Sequence, residues 1–326
     1  MKIYTQKDAD PRALSGKVVV VVGYGAQGRA QALNLRDSGV DVRVALRPAG
    51  ATFKQATGDG FTPISFAEVA DQADIIHLLL PDDVQPRVYN EHIAPKLKPG
   101  QTVSCSHGFN LHFGFITPPA GVDVWLVAPK APGTEVRKVY LDGFGTPGLV
   151  AVHTDASGKA FDNALCFAHH LGLTRAGVLT CSFEDETVED LFGEQTVLCG
   201  GVSQLVKAGF ETLTEGGYPP EMAYFECLHE LKLIVDLMER GGLTEMWHVV
   251  SNMAEYGGRM VGPRIITEET KKEMKKVLGE IRNGQFAKQA MDEFNGGSQE
   301  LNKMRSEEAK HPIEVVGKEM RALFAR

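Results

Sequence analysis

The sequence predicts an α/β domain followed by an all-helical domain. Short apolar strands alternate with helical stretches through the first half, and a Gly-x-Gly-x-x-Gly turn joins an early strand to the helix after it. Beyond about Ser182, long segments of helical periodicity take over, separated by turns such as Gly216-Gly217-Tyr218-Pro219-Pro220 and Gly241-Gly242. At 326 residues the chain has room for two domains of about 150 residues each. The change of character places the boundary at 181–183, giving domains of 1–182 and 183–326.

Lys17–Val22 carries five consecutive valines and reads as a strand buried on both faces. Val42–Leu46, Asp74–Leu79, Thr102–Ser104 and Val122–Val127 are the next strands, and Gly148–His153 and Gly177–Cys181 extend the sheet. Alternation with helices implies that these strands run parallel. Lys98-Pro99-Gly100, Thr117-Pro118-Pro119 and Ala131-Pro132-Gly133 are the turns between them. From Glu268 to Arg326, alternating charged and apolar residues predict surface helices around a small core.

Composition excludes several classes. Hydrophobic residues make 43% of the chain and charged residues 23%, which is globular rather than low-complexity or collagen-like. A formal net charge of −8 lacks the basic footprint of a phosphate-backbone binder, so nucleic acid is not an expected partner. Cys105, Cys166, Cys181, Cys199 and Cys227 are odd in number and form no C-x-x-C pair, which predicts reduced thiols. With no apolar run at the N-terminus and none of about 18 residues elsewhere, the expected location is the cytoplasm, with no membrane contact.

Gly23-Tyr24-Gly25-Ala26-Gln27-Gly28 directly follows the valine strand and precedes the helical Arg29–Asp37. In a Rossmann-type turn the first glycine permits the tight bend and the second lets a pyrophosphate reach the backbone. The third admits close helix packing, and free N–H groups at the helix start face the anion. A plain strand–helix turn would carry the same spacing. The strand Val42–Leu46 ends in Arg47, where an NAD site places Asp or Glu, and Thr52 offers a hydroxyl nearby. A guanidinium suits the 2′-phosphate of NADP, although a solvated surface arginine fits the position too.

Two acidic pairs stand in the helical half. Asp190 and Glu194 share a helix face at a spacing that is destabilising for like charges unless something neutralises them. Glu226 and Glu230 repeat the spacing away from the predicted solvent face of Glu221, His229, Lys232, Asp236 and Glu239, on the side of Met222, Leu233 and Leu237. A carboxylate among apolar residues must be protonated, paired or metal-bound. Oxygen donors without a His or Cys cluster suit Mg²⁺ or Mn²⁺. Pairing with Arg259, Arg264 or Lys207 is the structural alternative, and Glu184–Glu189 reads as solvated surface.

The chain resembles the ketol-acid reductoisomerases (acetohydroxyacid isomeroreductases) in their short bacterial form. The resemblance rests on the turn at 23–28 and on Leu80-Pro81-Asp82, Ser106-His107-Gly108-Phe109-Asn110, Val127-Ala128-Pro129-Lys130 and Gly145-Thr146-Pro147-Gly148. In the second half it rests on Asp190-Leu191-Phe192-Gly193-Glu194-Gln195, Tyr224-Phe225-Glu226-Cys227-Leu228-His229-Glu230-Leu231-Lys232 and Ser251-Asn252. It implies Mg²⁺-dependent alkyl migration of 2-acetolactate or 2-aceto-2-hydroxybutyrate, then NADPH reduction to a 2,3-dihydroxy acid, in branched-chain amino-acid synthesis.

By position, the resemblance makes Asp190 a bridge between two Mg²⁺ ions and Glu194 a ligand of one, with Glu226 and Glu230 serving the second metal and the substrate hydroxyls. Ser251 would hold the substrate carboxylate. His107, Lys130 and Glu230 would be catalytic. Gly23, Tyr24, Gly25, Ala26, Gln27, Gly28, Arg47, Gly50, Thr52, Asp82, Gln85, His107 and Gly133 would line the coenzyme. It further implies a knotted homodimer in which one subunit lends Glu226, Glu230 and Ser251 to its partner's site. Gly50 and Thr52 stand where the family commonly has two serines, so NADPH is the expected coenzyme, with NADH used less efficiently. An NADP-dependent β-hydroxyacid dehydrogenase without metal and an NADPH-sensing protein without turnover are the rival readings.

Overall fold

The computed structural model describes residues 2–324. Residues 1, 325 and 326, which the two expected domains include, lie outside the described residues. The chain divides into two compact units between Thr187 and Val188.

The first unit is built on an eight-stranded sheet: β1 (Ile3–Tyr4), β2 (Val18–Val22), β3 (Asp41–Ala45), β4 (Ile75–Leu78), β5 (Thr102–Cys105), β6 (Asp123–Pro129), β7 (Gly148–Thr154) and β8 (Val178–Thr180). Their order across the sheet is β1-β8-β7-β6-β5-β4-β2-β3. The valines of β2 explain its central place. Val19 and Val21 enter the apolar layer on one face, Val20 and Val22 the layer on the other, and all four are fully buried. Each contributes about 1.5–3 kcal/mol by leaving water.

From β3 to β6 every pairing is parallel. Ile64 makes a parallel bridge to Ala45, so a vestigial strand flanks β3 and completes the order of a doubly wound Rossmann-type sheet. The chain therefore reverses direction between β2 and β4, the place where such sheets open a crevice for a ligand.

Two pairings depart from the expected parallel arrangement. β7 runs antiparallel to β6, with Gly148 opposite Pro129, and the short β1 pairs antiparallel with β8. The helix Gly133–Leu141 between β6 and β7 packs on the helix Ala26–Asp37, so it makes no crossover and the chain re-enters from the same end. β1, two residues long, has no hydrophobic alternation by which to announce itself.

The second unit is helical throughout its described residues. Val206 and Phe210 from Gly200–Glu215, Ala223 and Tyr224 from Pro220–Tyr224, and Ile313 and Met320 from Pro312–Phe324 form a core. The predicted surface helices after Glu268 are Glu268–Arg282, Gln285–Asn295, Gln299–Glu308 and Pro312–Phe324, with Ile281, Ala287 and Met291 buried.

Candidate active site

The turn after β2 is shaped for close backbone approach. Gly23 has φ +110°, and a Cβ there would lie 2.6 Å from the Leu79 carbonyl oxygen, so no other residue fits. Gly25 caps Ala26–Asp37 in extended conformation, and nothing stands within 4 Å of where its side chain would point. Gly28 packs against the Gly23 carbonyl in the first helical turn. Gly133 opens Gly133–Leu141, and a side chain there would collide with the Ala26 backbone. Gln27 donates to the Ala131 carbonyl at 2.8 Å across the same contact. Two helix N-termini thus converge on open space, a favourable seat for a pyrophosphate.

The side chain of Tyr24 is turned away from that space. Its ring is buried against Phe61 and its hydroxyl donates to Asp59 at 2.9 Å, leaving only backbone at the turn. Burial and the Asp59 carboxylate raise its pKa. Asp59 also receives Arg29 at 2.7 and 2.9 Å, which holds its carboxyl below the usual range and clasps the end of the helix Ala51–Gly58 to the dinucleotide helix. At the other end of Ala51–Gly58, Gly50 is the N-cap, Thr52 is exposed in the first turn, and Arg47 is exposed where the chain leaves β3. A cation, a hydroxyl and a helix N-terminus are groups that suit a monoester phosphate.

Asp82 and Gln85 form the loop after β4. Gln85 is buried, its amide donating to the Leu80 carbonyl at 2.7 Å and to Asp82 at 3.2 Å, so its side chain shapes the loop from inside. Asn110 donates to the Asp82 carbonyl at 3.0 Å and ties this loop to the one after β5.

The loop after β5 carries His107, and its partner is a residue that the sequence placed in solvent. Ser182 and Asp185 cap each other's N–H groups at 3.1 and 3.0 Å and start the helix Phe183–Gly193. That phase turns Glu186 inward, to 1% exposure. Its carboxylate accepts the Gly108 N–H at 2.8 Å, faces His107 Nδ1 at 3.3 Å and pairs with Lys130 Nζ at 3.6 Å. A buried carboxylate needs such partners. Here it gathers His107 and Lys130 from two strand ends and meets the imidazole at Nδ1. Glu184 and Glu189 are exposed as expected; Glu186 is not. The missed signal was its four-residue spacing from Asp190, which extends the Asp190–Glu194 series by one turn.

Both acidic pairs of the helical half stand where an α-helix gives way to a π-turn. Phe183–Gly193 carries Asp190 and passes at Glu194 into the π-turn Glu194–Leu198. Pro220–Tyr224 passes into the π-turn Phe225–His229, where Glu230 N–H bonds the Phe225 carbonyl, before Leu231–Val249 begins. Such turns are inserted at functional sites more often than elsewhere.

Glu226, Glu230, Met222 and Leu233 are all exposed on the chain, so the burial expected of the two carboxylates is not met within one subunit. Of the cations weighed against them, Lys207 pairs with Glu308 and Arg259 with Glu255. Asp190 is half-buried and Glu194 exposed. All four are carboxylates, the donor type that suits a hard divalent cation. Ser251 caps the helix Asn252–Ile265, its Oγ accepting Ala254 N–H at 3.2 Å, which places a hydroxyl at a helix N-terminus.

Residues 13–177 match the family model of the acetohydroxy acid isomeroreductase NADPH-binding domain, and residues 183–326 that of the ketol-acid reductoisomerase C-terminal domain. The ketol-acid reductoisomerase (NADP(+)) of Akkermansia muciniphila is 56% identical over 326 residues, covering 100% of both chains. The solved structure of an NADH-preferring ketol-acid reductoisomerase from an uncultured archean superposes with a TM-score of 0.97 at 49% identity, again over 100% of both chains. A putative oxidoreductase from Jannaschia, 16% identical with a TM-score of 0.61 over 82% of this chain and 97% of its own, shares the fold alone.

Proposed function

The chain belongs to the ketol-acid reductoisomerase family, and on that premise we propose how its residues divide the work. The reaction is alkyl migration in 2-acetolactate, or its 2-aceto-2-hydroxybutyrate homologue, followed by NADPH reduction to the 2,3-dihydroxy acid, a step of branched-chain amino-acid synthesis. Residues 1–182 hold the coenzyme, and residues 183–326 hold metal and substrate and make the dimer.

The observation that carries the assignment of roles is the buried Glu186 carboxylate with His107 and Lys130 upon it. Glu186 fixes the ammonium of Lys130 beside the reacting carbonyl, where its charge favours a developing oxyanion. His107, oriented through Nδ1, moves protons at Nε2. Gly23, Gly25, Ala26, Gln27, Gly28 and Gly133 present backbone to the pyrophosphate, and Tyr24, Asp82 and Gln85 shape the walls. Two Mg²⁺ ions fit Asp190 and Glu194 together with Glu226 and Glu230 of the partner subunit. Bound there, the ions would supply charge to polarise the carbonyl and to stabilise the alkoxide that the migration requires, and the coenzyme would supply the hydride. Ser251, at its helix N-terminus, receives the substrate carboxylate, and Glu230 serves the substrate hydroxyl as well as metal.

Self-association as at least a homodimer accounts for the apolar side chains left exposed in the second unit, among them Leu198, Met222, Leu233, Leu243, Met253 and Tyr256. Glu226 and Glu230 stand among them, where a partner would enclose them. NADPH is the preferred coenzyme and NADH is used at lower efficiency, because Arg47 and Thr52 favour a 2′-phosphate and no carboxylate occurs in 47–52 to repel it. A cytoplasmic location is in keeping with five free cysteines and with the absence, among the described residues, of a helix long and apolar enough to cross a membrane. The test is product analysis: one 2,3-dihydroxy acid formed per NADPH consumed from acetolactate supports the reading. NADPH consumption without that product refutes it.

A further inference from the structure

We propose that Ser106 is a coenzyme-contact residue whose hydroxyl proton, aimed by a buried Gln27–Gln31–His77 chain, donates to an oxygen of the dinucleotide on its nicotinamide side. The proposal rests on the coenzyme site assigned above.

His77 is fully buried in β4 between Ile76 and Leu78. Its Nδ1 lies 2.9 Å from Ser104 Oγ and its Nε2 2.9 Å from Gln31 Oε1. The Gln31 amide nitrogen gives its two hydrogens to Gln27 Oε1 at 3.0 Å and to Ser106 Oγ at 2.9 Å. Gln27 in turn donates to the Ala131 carbonyl.

The inventory of donors and acceptors fixes every direction in this chain. The Gln31 nitrogen can only donate, so its oxygen must accept. His77 therefore carries its proton on Nε2 and takes the Ser104 proton at Nδ1. Burial pushes the His77 pKa down to about 3, so the ring stays neutral and the polarity does not reverse near neutral pH.

One proton is held only loosely. Ser106 Oγ accepts from Gln31, and the nearest groups for its own hydrogen are Gln31 Oε1 at 3.4 Å and His77 Nε2 at 3.5 Å. The first lies well beyond the roughly 2.5–3.0 Å of a good O–H···O bond and the second bears a hydrogen. Ser106 is half-buried, so its O–H is able to turn to a better acceptor on the accessible side. Ser106 follows β5, two strands from β2 on the side of β6, where a doubly wound sheet seats the nicotinamide half of a dinucleotide laid across the turn. His107 is the next residue. The same chain starts at Gln27 inside the phosphate turn, so one rigid network registers both halves of the coenzyme.

NADPH titration followed by its own fluorescence tests this on the whole enzyme without turnover. S106A weakens NADPH binding by about tenfold, as loss of one hydrogen bond to a ribose or phosphate oxygen would. H77L, which removes the donor to Gln31, weakens it similarly. H77Q, whose amide nitrogen can stand where Nε2 stands, recovers most of the loss. Wild-type affinity in a folded S106A protein overturns the contact, and an affinity in H77Q as low as in H77L overturns the aiming role of His77. If H77L does not fold, H77N, which keeps a partner for Ser104 and loses the donor to Gln31, replaces it. A folded wild type that binds no NADPH overturns the coenzyme reading itself, and the proposal with it.

Discussion

Replacing His77 by glutamine should flatten the acid side of the stability profile of the first unit. His77 is fully buried, and its pKa falls from the ordinary 6.5 to about 3 because burial disfavours the charged ring. Unfolding frees the ring to titrate near 6.5. The unfolded chain therefore binds the proton first as pH falls, and stability present above 6.5 is lost between 6.5 and about 3. At pH 5 the unfolded imidazole is almost wholly protonated and the folded one almost wholly neutral. Linkage then gives a loss of about 2 kcal/mol relative to pH 8 from this residue alone.

The assay is urea unfolding at pH 8 and pH 5, followed by Trp125. That indole packs 5.1 Å from the Phe167 ring, which itself lies 4.7 Å from the His77 ring. A W247F background removes the second tryptophan. The difference between wild type and H77Q in their change from pH 8 to pH 5 should be about 2 kcal/mol, since every other histidine cancels. Identical pH dependence in the two proteins would refute a neutral His77, and with it the direction of the Ser106 hydroxyl.

Four further substitutions separate roles. E186Q keeps an acceptor for Gly108 N–H but drops the charge facing Lys130 and His107, so kcat/KM should fall by at least about 100-fold, close to 2.7 kcal/mol of transition-state stabilisation, with circular dichroism unchanged. R47A should raise KM for NADPH about tenfold or more and leave KM for NADH within about twofold, because only the former carries the phosphate. E230Q removes an exposed carboxylate, so the melting temperature should move by no more than about 2 °C while turnover is lost. Co-expression with D190N should restore activity that neither variant has alone, and its failure to do so would contradict sites shared between subunits.

Much of the fold was legible because its signals are local. Five valines before a glycine turn can only be an inner strand and its crossover, and the helical half announces itself by period. β1 and the reversal at β7 were not legible, since both depend on pairing between distant segments rather than on pattern. The acidic pairs were found by spacing alone, but their surroundings were misjudged in opposite directions. Glu226 and Glu230 share the predicted side of Met222 and Leu233, but those apolar residues are themselves exposed on one subunit, so an apolar side does not by itself mean burial within the chain. Glu186 seemed solvated because it stands in an acidic first turn, where the helix dipole offers sufficient reason for a carboxylate. Its burial follows from the Ser182–Asp185 cap, which sets the helix phase, and from partners 56 and 78 positions away in the chain, Lys130 and Gly108. His77 was overlooked for a related reason: a histidine inside an apolar strand declares only that it must be satisfied, and its partners lie on other elements.

The central claim is that carboxylates of the helical half hold the divalent cations that the migration requires, while the sheet half holds the coenzyme. The most direct measurement is the rate of acetolactate-dependent NADPH oxidation as Mg²⁺ is removed with EDTA and restored. Turnover should vanish with the metal and return with it, while NADPH binding by fluorescence stays intact throughout. Undiminished turnover in EDTA would contradict the claim.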